Sequence, residues 1–127
     1  MNIVLVFFGG GLGAVFRYLV GIGWVRLNGP GQPYLATAII NVTGSLLMGL
    51  LIGALVRTTG GVNERWRLLF GVGVLGGYTT FSSFSLEAVM MIERKAYALA
   101  SAYIVGSVLL GVLGLMLGLT IMRKAAL

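Results

Sequence analysis

Gly76-Gly77-Tyr78-Thr79-Thr80-Phe81-Ser82-Ser83-Phe84-Ser85 lies in the middle of an otherwise apolar stretch of about residues 67–92. Two adjacent glycines followed by hydroxylated and β-branched residues have low helix propensity, so a helix over 67–92 is expected to break here. A break frees backbone N–H and C=O groups, and inside a bilayer these are tolerated only where protein, water or an ion takes them up. Freed carbonyl oxygens suit a small hard cation; freed N–H groups and hydroxyls suit an anion. Phe81 and Phe84 stand three apart on one helical face, interleaved with Ser82, Ser83 and Ser85. Such spacing is most often plain packing. The chemical alternative is that two electropositive ring edges face an anion and hold it more weakly than an arginine would, as permeation requires.

The rest of the chain sets that run in a membrane. Of its 127 residues, 58% are hydrophobic and only 9% charged, and the mean hydropathy of +1.02 lies outside the range of soluble domains. There is no cysteine and no histidine, which removes disulfides, thiol nucleophiles, imidazole bases and most zinc or haem ligation. The three carboxylates are Glu64, Glu87 and Glu93. No set of residues points to catalysis, and no enzymatic activity is expected. The net charge of +6 is spread singly and in pairs near span ends, where it meets anionic headgroups, so the expected partner is the lipid membrane and not nucleic acid.

A helix needs roughly 20 apolar residues to cross the hydrocarbon core. Four such stretches are present, at about 3–25, 34–56, 67–92 and 96–122, within a single transmembrane domain over 1–127. The breaks between them are Arg26 to Pro33, which holds both prolines, then Arg57 to Arg67 with its Thr-Thr-Gly-Gly turn, and finally Glu93-Arg94-Lys95. The first stretch is too long for a signal-peptide core and has no basic residue ahead of it, so it is expected to remain in the mature protein. Arg57, Arg65, Arg67, Arg123 and Lys124 fall on one side, and Arg26, Arg94 and Lys95 on the other. So weak a bias points to insertion in both orientations, with two copies pairing antiparallel.

Among 21 glycines, Gly9/Gly13, Gly49/Gly53 and Gly114/Gly118 are each spaced four apart, which predicts smooth faces where helices approach closely. Two motifs fail on context. Gly9-Gly10-Gly11-Leu12-Gly13-Ala14 imitates a dinucleotide fingerprint, but no acid follows before Glu64. Asn41-Val42-Thr43 matches a glycosylation acceptor but lies mid-span.

Polar residues within spans are costly unless they face protein, water or a substrate. Thr37, Asn41 and Ser45 fall on one stripe of the second span, and Tyr103, Ser107 and Gly111 on one row of the fourth. Either stripe can be interhelical glue. Asn41 is harder to explain that way, because its amide carries two donors and an acceptor. Arg17, deep in the first span, calls for a wet cavity that gathers anions. Glu87 is open to three roles: proton carrier, arginine partner or hydrogen-bond acceptor.

With these residues in place, the chain resembles the Fluc (CrcB) fluoride channels along essentially its whole length. The run Gly76 to Ser85 matches a G-G-x-[ST]-T-F-S-[ST]-F-S pattern throughout, with Tyr78 at the variable position. Gly13-Ala14-Val15-Phe16-Arg17 and Thr37-Ala38-Ile39-Ile40-Asn41 match further family segments. The resemblance implies an all-α membrane protein of four transmembrane helices with a break in the third, assembled as an antiparallel, dual-topology homodimer in a prokaryotic plasma or inner membrane. It implies a passive, fluoride-selective channel that exports cytoplasmic fluoride and so confers resistance to it. A structural sodium ion at the dimer centre is implied, held by backbone carbonyls that by position belong to Gly76 and Thr79. Phe81 and Phe84 would line the pores and Asn41 the aromatic and fluoride sites, with Thr80, Ser82 and Ser83 along a hydroxyl track. Thr37, Tyr103 and Ser107 would join the same pathway, with Arg17 in the vestibule and Glu87 at the polar end.

Fluoride is small and strongly hydrated, so a selective pore must replace its water with hydrogen-bond donors along a narrow path; hydroxyls, an amide and ring edges meet that need. Two rivals remain. A small four-helix, proton-coupled multidrug exporter would need a carboxylate in its substrate pocket, and Glu87 is the intramembrane candidate. A non-transporting assembly subunit would use its polar stripes only as glue.

Overall fold

The computed structural model describes residues 1–59 and 63–125. Gly60 and Gly61, half of the expected Thr-Thr-Gly-Gly turn, lie outside the described residues. All regular structure among the described residues is helical. The helices Asn2–Asn28, Pro33–Thr59 and Tyr97–Lys124 correspond to the first, second and fourth apolar stretches and keep those labels as spans; these three are long and apolar enough to cross a membrane, making this a multi-pass membrane protein. The first ends because Gly29 adopts φ 79°, open to a residue without Cβ, and its N–H bonds the Val25 carbonyl at 2.8 Å. The second opens on Pro33, whose missing N–H costs nothing in a first turn.

The third segment is interrupted. It runs as α-helix over Glu64–Trp66, as a π-helix over Arg67–Leu75, and as α-helix again over Gly76–Tyr78. Thr79 and Thr80 are extended, and helix resumes over Phe81–Glu93. Asn63 caps the start, its side-chain oxygen accepting from the N–H groups of Arg65 and Trp66. Just outside the apolar stretch, the Arg67 guanidinium donates to Glu64 at 2.9 and 3.0 Å and holds that carboxyl below its ordinary range. The nine-residue π-helix is longer than the single-turn bulges in which that geometry usually occurs. Sequence periodicity did not foreshadow it.

Glycine contacts order the spans. Gly9 lies against Leu69 and Gly73, and Gly13 against Val74 and Tyr78, so the first span and the start of the third run parallel. Gly114 meets Val42, Gly118 meets Leu46, and Gly53 meets Met122, so the second and fourth spans also run parallel. All three spaced glycine pairs thus lie where backbones approach, the use their spacing predicts. The buried cluster of Ala88, Met91, Ala100 and Tyr103, flanked by Tyr34, Ala38, Phe84 and Ile104, is small. Most large apolar side chains face outward, as suits a lipid solvent.

Candidate functional site

The break is narrower than the glycine content of the run implies. Gly76 and Gly77 remain helical, and the chain extends only at Thr79 (φ −78°, ψ 157°) and Thr80 (φ −148°, ψ 117°). A side chain from another span accounts for this. The Asn41 amide donates to the Thr80 carbonyl at 2.9 Å and its oxygen accepts from the Thr80 N–H at 2.8 Å, as a neighbouring strand would. The N–H freed at Thr80 is therefore satisfied, and the Thr80 carbonyl, which as N-cap also opens the next helix, gains a second donor. The clamp also diverts the N–H that would have paired, one turn back, with the carbonyl of Gly76. Gly76 is exposed, which leaves a hard oxygen donor at the end of a half-helix. Thr79 remains tied to the first half, its N–H and hydroxyl both donating to the Leu75 carbonyl at 3.0 and 2.9 Å.

Beside the break lies a cleft of about 270 Å³ lined by Asn41, Ser45, Thr79, Thr80, Phe81, Phe84, Ser107 and Val108. Phe84 stands between Phe81 and Tyr103, with ring centroids 5.6 and 5.2 Å apart, and Phe81 is 79% exposed. The lining contains no charged residue. Its donors are partly committed: Ser45 donates to the Asn41 carbonyl and Thr79 to that of Leu75. What remains open to a small ligand is one N–H of Asn41, the Ser107 hydroxyl and the rings of Phe81 and Phe84.

A second cleft, of about 590 Å³, opens between the first and second spans, with Arg17, Arg26, Thr37, Thr80, Ser83 and Glu87 on its walls. Arg17 Nε donates to the Gly77 carbonyl at 3.2 Å, capping the negative end of the broken half-helix, while the rest of the guanidinium lines the cleft. Both oxygens of Glu87 are engaged: one accepts from Thr37 at 2.8 Å and the other from Tyr103 at 2.6 Å. Thr80 lines both clefts. Its Oγ1 accepts from the Ser83 N–H, donates to the Ser83 hydroxyl at 3.1 Å and lies 3.3 Å from the Ser82 hydroxyl. With its own proton committed to Ser83, it takes that of Ser82, and Ser83 itself lines the second cleft.

The structure thus brings Asn41, Thr80, Phe81, Phe84 and Ser107 to one cleft, and Arg17, Thr37, Ser83 and Glu87 to the other. Ser82 joins through Thr80, and Tyr103 joins through both Glu87 and Phe84. The second-span stripe divides: Asn41 and Ser45 face the first cleft and Thr37 the second. Ser45, part of that stripe but not singled out, lines the first cleft, and its helical offset from Asn41 was the signal for it. Gly76 and Thr79 flank the break, and their carbonyls are the oxygens at hand for a hard cation. Thr43, bonded to the Tyr78 hydroxyl at 3.0 Å, carried no signal of its own.

Comparison with known proteins identifies the family. The family model described as "CrcB-like protein, Camphor Resistance (CrcB)" matches residues 4–119. A relative from Caulobacter sp. (strain K31), named fluoride-specific ion channel FluC, is 52% identical over 123 residues, 97% of this chain and 95% of its own. Proteins of the same name from Phenylobacterium zucineum (strain HLK1) and Novosphingobium aromaticivorans are 52% identical over 122 and 119 residues; the former alignment covers 96% of this chain and 95% of the relative, the latter 93% of each. A family match over residues 4–119 and relatives 52% identical over nearly the whole chain place this protein in the CrcB family.

Proposed function

We propose that the protein is a fluoride-selective channel that lets cytoplasmic fluoride leave the cell passively, and that it is not an enzyme. The observation that carries this reading is the donor set of the first cleft. It offers an amide N–H, a hydroxyl and two aromatic edges, without a cation to trap an anion or a carboxylate to repel it. Weak donors in a narrow space replace water around a small anion and still release it. Arg17 on the second cleft raises the local concentration of anions, and Thr80 with Ser83 supplies hydroxyls between the clefts. Fluoride that enters as the neutral acid is trapped as the anion at cytoplasmic pH, and an inside-negative potential drives it out. The names of the relatives support the same assignment.

In this reading the third segment also crosses the membrane, giving four spans, and two copies pair antiparallel in the cell membrane with Gly76 facing the pairing axis. The carbonyls of Gly76 and Thr79 from both copies would hold a sodium ion, which supplies charge compensation for oxygens gathered at the centre. What supports it is the donor chemistry: neutral, hard carbonyl oxygens, one of them deprived of its helical partner by the Asn41 clamp. The exporter alternative needs a carboxylate free to bind a cation or a proton, whereas both oxygens of Glu87 already accept from hydroxyls. Purified protein in fluoride-loaded liposomes should release fluoride and retain chloride, with no proton gradient. Retention of fluoride would overturn the channel reading, and release that depends on a proton gradient would favour the exporter.

A further inference from the structure

The second span carries, two residues on from the Asn41 clamp, a second and separate contact with the break. Thr43 Oγ1 donates to the Ile39 carbonyl at 2.6 Å, so the 3.0 Å contact between Thr43 and Tyr78 is a bond in which the tyrosine hydroxyl donates. Between the two contacts sits Gly44, where a Cβ would strike the Thr79 methyl and touch the Tyr78 ring at 3.3 Å. Residues 41–44 therefore form a seat: Asn41 takes the Thr80 backbone, Thr43 the Tyr78 hydroxyl, and Gly44 leaves room for Thr79. Tyr78 is the last helical residue before the break and lies between Gly76 and Thr79. Fixing its ring to the second span fixes the direction in which the half-helix ends.

We infer that Tyr78 is a positioning residue: its hydrogen bond to Thr43 latches the end of the half-helix to the second span and sets the placement of the Gly76 and Thr79 carbonyls. Asn41 alone does not do this, because it holds Thr80, beyond the break; before the break the half-helix is held on one side by the first span, through Arg17 on the Gly77 carbonyl and Gly13 against Tyr78. A latch on Tyr78 adds the second span to that hold before any cation arrives, which is the usual route by which preorganisation raises affinity. Tyr78 occupies the variable position of the pattern, so the latch is drawn from this chain's own residues, Tyr78 and Thr43. The part that concerns the cation rests on the proposed channel reading.

The test uses full-length protein in liposomes, with Tyr78→Phe, Thr43→Val, Thr43→Ser and the Tyr78→Phe/Thr43→Val double variant. Deuterium exchange at the amides of Thr79 and Thr80 should quicken on the order of fivefold in Tyr78→Phe and in Thr43→Val, the factor one hydroxyl hydrogen bond contributes. The double variant should exchange no faster than either single one, and Thr43→Ser should match the parent. Separately, the sodium concentration for half-maximal fluoride efflux should rise in the first two variants, with efflux at saturating sodium unchanged. Parental exchange in Tyr78→Phe, or additive effects in the double variant, would overturn the latch. Altered exchange with unaltered sodium dependence would overturn its positioning role. A parent protein that conducts no fluoride would sink the channel reading, and the exchange measurement would still decide the latch.

Discussion

Replacing Asn41 with alanine removes both halves of the clamp at a position only 9% exposed: the Thr80 N–H loses its partner, while the Thr80 carbonyl, as the N-cap of the helix that follows, keeps the first intrahelical bond. A buried backbone group left unsatisfied costs about 1–3 kcal/mol. Even the lower figure corresponds to about a fivefold loss of protection at the Thr80 amide. Asn41→Asp separates structure from conduction. An ionised aspartate still accepts from the Thr80 N–H but sets an oxygen against the Thr80 carbonyl where the amide had donated at 2.9 Å. Because the acceptor for the Thr80 N–H is kept, that amide should lose less protection than in the alanine variant, while the added charge repels the permeant anion. The assay is paired: deuterium exchange at Thr80 and fluoride efflux, both in liposomes. Expected are an exchange order of parent, then aspartate, then alanine, and efflux in the aspartate variant at or below that of alanine. Parental exchange at Thr80 in Asn41→Ala would refute the clamp. Parental efflux in Asn41→Asp would place Asn41 outside the ion path.

The phenylalanines should behave unequally in stability and alike in conduction. Phe81→Ile and Phe84→Ile should both abolish fluoride efflux. Only the second should lower thermal stability, by about 1 kcal/mol, because Phe84 is held between two rings whereas Phe81 is 79% exposed. Gly13→Ala should prevent accumulation of folded protein, since its Cβ would overlap the Val74 carbonyl, while Gly11→Ala, which meets open space, should leave size-exclusion profiles unchanged. The Glu64 carboxyl is held low by Arg67, so this pair persists as pH falls until the depressed pKa is crossed; being fully exposed, it adds little, and Glu64→Gln should melt like the parent at pH 7.

Three features were legible in the residues alone. Long apolar stretches define helices, because a backbone in hydrocarbon must bond within its own segment. Glycines spaced four apart mark close helix contacts, because the 3.6-residue period stacks them on one face. The run from Gly76 to Ser85 marks a weak point, because it lacks residues that favour helix. What periodicity could not convey was decided between spans. The break falls after the glycines because Asn41, 39 positions away, reaches Thr80. The second-span stripe serves two clefts because the fourth span packs on one side of it and the first on the other. Glu87 is an acceptor for Thr37 and Tyr103, and Arg17 a cap for the Gly77 carbonyl, through bonds made between distant parts of the chain. Composition and period report what each helix must bury. Which freed backbone group meets which side chain depends on how the helices are placed, and that placement is a property of the packed molecule alone.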